Sequence, residues 1–151
     1  MPQITLTNGN VAFDCTDDTI LRAALRHGLG FPYECNVGSC GNCRFELIEG
    51  EVAHDRQDAP AWTERNKQRK QYLGCQARPL SDCRIKANLR DHYKSLHKPA
   101  RTEARLFATE DITHDIREFR FRLADPVLFL PGQYALLYIP GVAVPPGTSL
   151  I

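Results

Sequence analysis

Cys35, Cys40 and Cys43 fall within nine residues as C-x4-C-x2-C, and Cys75 follows after 31 further residues. No other feature limits the possible folds as strongly, because three thiols crowded into one short loop need a partner. Six cysteines could form three disulfides. The crowding argues against that framework, since Cys15 stands alone and Cys75 and Cys83 come much later. The N-terminus, MPQITLTNGN, has neither the basic n-region nor the apolar h-region of a secretory signal. The expectation is a cytoplasmic chain with reduced thiols, for which metal ligation is the natural use.

Three ligand chemistries compete. Structural zinc sites usually show paired C-x(2–4)-C knuckles, with a second Cys or His pair downstream. Unligated structural cysteines are a second alternative. The spacing found here, three thiols in a loop and one far downstream, is that of plant-type 2Fe-2S centres and favours an iron-sulfur reading. Two sulfide-bridged irons need four thiolates around one compact anion, so Cys35, Cys40, Cys43 and Cys75 are the expected ligands. The loop FPYECNVGSCGNC suits this, because Gly38 and Gly41 permit positive φ and close backbone approach. Tyr33, Asn36, Val37 and Ser39 are expected to form the rim through which an electron leaves. Cys15 and Cys83 lie in apparent strands and read as buried small hydrophobes.

Residues 3–7 and 11–15 alternate in polarity around Asn8-Gly9-Asn10, which predicts a hairpin. Asp17 or Asp18 is expected to cap a helix running to about His27, with Gly28 and Gly30 beyond its end. Further strands are expected over 44–51, 72–77 and 83–87. A short surface helix is expected within 59–70, with Trp62 covering the core at its start. This is an α+β pattern, and with the cysteine motif it points to a β-grasp fold. The histidines show no metal-binding spacing, and none is assigned to a metal.

Charge divides the chain. Residues 1–88 are neutral, residues 89–101 carry +3, and residues 102–151 carry −2, for a total of +1 over 151 residues. That balance gives no sign of a nucleic-acid partner, and no apolar run reaches the roughly 18 residues of a membrane span. The expected domains are 1–93, a connector over 94–101, and 102–151.

FPYECNVGSCGNCRFELIEGEV and YLGCQARPLSDCRIK together resemble the ferredoxin domain of reductase components of bacterial multicomponent oxygenases, the toluene and phenol monooxygenase type. THDIREFRFRLADPVLFLPGQYALLYIPG resembles the opening of the flavin-binding β-barrel of the ferredoxin reductase superfamily. The resemblance implies strands near 104–110, 116–123 and 133–139, and thus a partial antiparallel barrel after the β-grasp domain. It implies FAD as a second cofactor, NADH as electron source, and an oxygenase component or a separate ferredoxin as acceptor, in aromatic hydrocarbon catabolism. The family's RxYS motif does not follow the PGQY strand here, and no arginine follows Arg122. No GxGxxG loop occurs either. The expectation is an apparently truncated member whose residues 102–151 do not bind FAD tightly. The alternative function is a stand-alone 2Fe-2S ferredoxin with a vestigial tail.

Overall fold

The computed structural model describes residues 1–7, 9, 11–133, 135 and 137. Chain contacts divide it into a first unit running from Met1 to Lys98 and a second that opens at Pro99.

In the first unit, β1 (Gln3–Leu6) turns back into β2 (Ala12–Asp14), helix α1 (Ile20–Arg26) follows, and the cysteine loop leads into β3 (Arg44–Glu49). Next come β4 (Val52–His54), helix α2 (Glu64–Gln68), β5 (Gln71–Leu73), β6 (Ala77–Pro79) and β7 (Cys83–Lys86). Five strands form one mixed sheet in the order β2-β1-β7-β3-β5, and β4 pairs with β6 in a small sheet of its own. β1 runs parallel to β7 with Ile4 beside Cys83 and Leu6 beside Ile85, while the other neighbours are antiparallel. The period of two decides which face is covered: Ile4, Leu6, Phe45, Leu47, Cys83 and Ile85 are buried, and Arg84 and Lys86 between them are exposed. Ile20, Leu21, Ala23, Ala24 and Leu25 of α1 join these side chains in one core with Phe13, Phe31 and Leu73. This is the expected β-grasp arrangement, a mixed sheet crossed by one helix.

α1 begins one residue later than expected. Its N-cap is Thr19, whose side chain makes no capping bond. Asp18 instead accepts the Thr19 N–H at 2.7 Å and pairs with Arg22 at 2.7 Å and with Arg26. Asp17 sits in the left-handed region, φ +52°. The carboxylate therefore serves the helix start from outside the cap position, where it still faces the positive end of the helix dipole. The other end closes as a Schellman motif. Gly28, φ +73°, donates to Leu25 at 3.0 Å and Leu29 donates to Ala24 at 3.0 Å.

The strand expected over 72–77 is broken. β5 stops at Leu73, a turn closed by Gln76 N–H to Leu73 carbonyl at 2.9 Å carries Cys75, and β6 joins the other sheet. The chain changes sheets within this segment, and Gly74 is the small residue at which it leaves the first. After β7, Leu89 packs on the core, Arg90 donates to the Gly30 carbonyl at 2.8 Å, and a 3₁₀ turn spans Asp91–Tyr93.

The second unit contains the hairpin β8 (Ala104–Asp111) and β9 (Arg117–Leu123), close to the two expected strands. A register shift between Leu106 and Ala108 bulges β8 at Phe107. Leu106, Phe119, Phe121 and Leu123 are exposed. The strand expected over 133–139 lies mostly outside the described residues, as do Asn8 and Asn10 of the expected turn, whose central Gly9 has φ +133°.

Trp62 is buried, as expected of a core cover, and its indole N–H donates to the Gln71 carbonyl at 2.8 Å. The ring of His54 stacks on it, centroids 3.9 Å apart. His54 Nδ1 lies 2.8 Å from the Arg56 carbonyl and must be the protonated nitrogen, because a carbonyl only accepts. Nε2 is buried without a partner. Burial lowers the pKa of this imidazole below its ordinary value. An unfolded histidine gains a proton near about pH 6.5, whereas the folded one resists it until lower pH. The contribution of neutral His54 to stability is thus complete above about pH 6.5 and is lost as the pH falls through the folded value. His54→Phe keeps a ring against Trp62 and cannot titrate. Urea midpoints taken at about pH 7.5 and about pH 5.5 are expected to separate more for the native chain than for His54→Phe. Equal separations would contradict the assignment.

Candidate metal centre

Sheet register brings two of the distant cysteines together. Arg44 of β3 pairs with Leu73 of β5, so Cys43, just before β3, faces Cys75, just after β5. Gly74 donates to the Cys43 carbonyl at 2.8 Å, and the Cys75 N–H lies 3.5 Å from Cys43 Sγ. Within the loop, Cys35 and Cys40 form a second pair: the Cys40 N–H lies 3.3 Å from Cys35 Sγ. Four thiols thus stand as two pairs, one buried and one nearer the surface, since Cys43 and Cys75 are buried and Cys40 is exposed.

The loop is shaped so that backbone N–H groups face sulfur. Asn36, Gly38 and Gly41 take positive φ, +54°, +82° and +80°. The N–H groups of Ser39 and Cys40 reach Cys35 Sγ at 3.3 Å, and that of Asn42 reaches Cys40 at 3.5 Å. A peptide that turns its N–H inward turns its carbonyl outward. Each of the three outward carbonyls in this stretch has a donor from another part of the chain. Asn36 accepts from Gln76 Nε2 at 3.4 Å, Val37 from the Arg56 guanidinium at 3.1 Å, and Gly38 from the Ala61 N–H at 3.1 Å. At Gly38 a Cβ would meet Ala59 Cβ at 3.0 Å and Gln76 Cγ at 3.3 Å, so a larger residue would press on both neighbours as well as strain the positive φ.

These donors act on the thiols. The Cys43 thiol, first, then the Gln76 amide and the Gly38 N–H, outweigh burial and bring Cys75 down to about 7. Cys43 rises correspondingly, because it holds the proton that Cys75 accepts and is itself buried. Burial pushes Cys35 upward, but the N–H groups of Val37 and Cys40 overcome it and hold the thiol below its ordinary range. By contrast, burial pushes Cys15 up to about 11 and raises Cys83 too. Cys15 donates to the Asp18 carbonyl at 3.4 Å and Cys83 to that of Ser81 at 3.2 Å. They are neutral packing thiols facing backbone oxygen.

Among the described residues, no three His, Cys, Asp or Glu side chains converge on one metal-ion position. A lone ion needs such convergence, whereas a binuclear cluster spreads four sulfurs over two irons. Two thiol pairs ringed by N–H donors fit a 2Fe-2S cluster by the chemistry of the donor set. Of the expected rim, Ser39 is exposed and Asn36 and Val37 are half-buried. Tyr33 packs against the core and meets the ring of Tyr93 at 5.8 Å. Sequence reasoning missed Arg56 and Gln76. Only Gln76 left a trace, its position next to the fourth cysteine.

A mixed sheet and helix presenting this loop define a 2Fe-2S electron-transfer domain of ferredoxin type. The chain belongs to the 2Fe-2S iron-sulfur cluster binding domain family, whose model matches residues 4–80. It is 41% identical over 128 residues to the ferredoxin–NAD(P)+ reductase CarAd of Metapseudomonas resinovorans, covering 82% of this chain and 39% of that relative. It is 37% identical over 137 residues to the ferredoxin–NAD+ reductase component of the alkene monooxygenase system of Xanthobacter autotrophicus, covering 89% of this chain and 41% of that one. A solved ferredoxin reductase of carbazole 1,9a-dioxygenase superposes with a TM-score of 0.86 at 37% identity, over 93% of this chain and 45% of its own. The chain therefore spans about two fifths of the length of these relatives. These relatives are reductase components of oxygenase systems, and 2Fe-2S electron transfer is what the three comparisons and the fold support for this chain. Among the described residues, no helix is long and apolar enough to cross a membrane.

Proposed function

We propose that the whole protein of which these residues are the ferredoxin portion takes electrons from a reduced nicotinamide through FAD and delivers them to an oxygenase component or a separate ferredoxin. The observation that carries this reading is the pair of thiol pairs inside a ring of inward N–H groups. Cys35, Cys40, Cys43 and Cys75 would hold the cluster, the first two as the pair nearer the surface and the last two as the buried pair. When bound, the cluster supplies a one-electron relay near about −400 mV, the range of plant-type centres. Residues 1–93 form the ferredoxin domain, 94–101 the connector, and the flavin barrel opens at residue 102. The alignment of 137 residues with a reductase component extends past the first unit, which favours the reductase over a stand-alone ferredoxin.

The chain's own residues divide the work. The bracket of Arg56, Ala61 and Gln76 holds the carbonyls of residues 36–38, which fixes the inward N–H groups without side chains entering the site. Burial of Cys43 and Cys75 keeps water from one side, and exposure of Cys40 leaves the other side open to an acceptor. Ser39, Asn36, Val37 and Tyr33 form the rim of that open side.

Three outcomes test these assignments. Cys75→Ala is expected to abolish the reduced-state EPR signal, and Cys83→Ala to retain it with full iron and sulfide content; the opposite result would overturn the ligand set. Val37→Glu is expected to slow reduction of the acceptor at unchanged cluster content, and an unchanged rate would remove Val37 from the rim. In these 151 residues no arginine follows Arg122 to meet a flavin pyrophosphate. FAD titrated into the chain is expected to bind far more weakly than in family members, and stoichiometric micromolar binding with quenched flavin fluorescence would refute this.

A further inference from the structure

Among the described residues, the N–H donors that reach the four sulfurs come from the backbone, with one exception. Gln76 Nε2 lies 3.7 Å from Cys75 Sγ and 3.4 Å from the Asn36 carbonyl. Both neighbours are acceptors. Only the amide nitrogen, with its two hydrogens, suits that place, because the alternative orientation would set two carbonyl oxygens against each other. The residue is held there from both sides. Its N–H donates to Leu73 at 2.9 Å, its carbonyl accepts from Asp55 at 2.8 Å, and its Cγ borders Gly38.

We propose that the Gln76 side chain is a positioning residue that tunes the cluster, donating one amide hydrogen to the Cys75 sulfur and the other to the Asn36 carbonyl. This rests on Cys75 being a ligand. Adding an electron makes the ligand sulfurs more negative and strengthens every N–H···S bond, so each donor favours the reduced state. The second hydrogen ties that donor to the loop: the amide that steadies Cys75 also steadies the left-handed residue Asn36. Backbone donors cannot be removed without rebuilding the chain, whereas this one can be exchanged by substitution. It is therefore the point at which the potential of this centre is adjustable by a single residue that is neither a ligand nor part of the loop.

Gln76→Met preserves side-chain length and removes both hydrogens. In the cluster-loaded full chain, iron and acid-labile sulfide are expected to stay at native content. The one-electron reduction equilibrium against a reference dye is expected to fall at least about threefold, equal to about 28 mV. A native potential at native cluster content would overturn the proposal and leave Gln76 as packing. Should Gln76→Met hold no cluster, pulsed EPR of the reduced native chain, with ¹⁵N in glutamine side-chain amides, decides instead. Gln76 has the one glutamine amide bonded to a cysteine sulfur among the described residues. A ¹⁵N coupling is expected, and its absence would overturn the proposal. Retention of the cluster by Cys75→Ala would instead defeat the ligand assignment, so the two failures are distinguishable.

Discussion

A 2Fe-2S centre gathers sulfur and negative charge in one place, and the fold must offset that repulsion without bringing in charges that would fix the centre in one redox state. Neutral N–H dipoles meet this need, and the backbone supplies them where φ is positive. Most features near the loop follow. Gly38 and Gly41 permit the conformation, and Asn36 adopts it as one of the few non-glycine types that readily does. The outward carbonyls then need donors, since a buried unpaired carbonyl costs about 1–3 kcal/mol. Gln76, Arg56 and Ala61 provide them from segments remote in sequence.

The small sheet of β4 and β6 gains its meaning here. It contributes little to the core, yet the residues that brace the loop stand at its ends: Asp55 and Arg56 follow β4, and Gln76 precedes β6. The carbonyl of Arg56 is held by His54, whose ring is stacked on Trp62. Loop, small sheet and Trp62 form one connected set, so the stability of the His54 pocket bears on the order of the thiol site. The exposed ion pairs of the β8–β9 hairpin, such as Arg120 with Glu110 at 2.9 Å, have no comparable role, because exposed pairs contribute little.

Much of this was legible in the sequence. The cysteine spacing specified the cluster type, since the number and order of thiols follow from the chemistry of two irons. The alternation in β1, β3 and β7 and the helical spacing in α1 marked the core, because a two-layer fold has one buried face per element. The hairpin of residues 104–123 was legible through the resemblance to the opening of a reductase barrel. The expected strand over 72–77 failed because periodicity does not report which sheet a residue joins, and the chain changes sheets at Gly74. The expected Asp cap failed because a carboxylate can serve a helix start without occupying the cap.

The sequence by itself determined what the loop region brings with it: four thiols at the spacing of a 2Fe-2S centre, their order, and glycines where the backbone must invert. Tertiary structure decided how they pair and what holds them. Cys43 meets Cys75 only because β3 and β5 align Arg44 with Leu73. Gln76 and Arg56 reach the loop only because β4 and β6 stand beside it. Such contacts join residues 19 to 40 positions apart. No local pattern encodes them, because a hydrogen bond between distant segments depends on strand register, which the whole core sets at once.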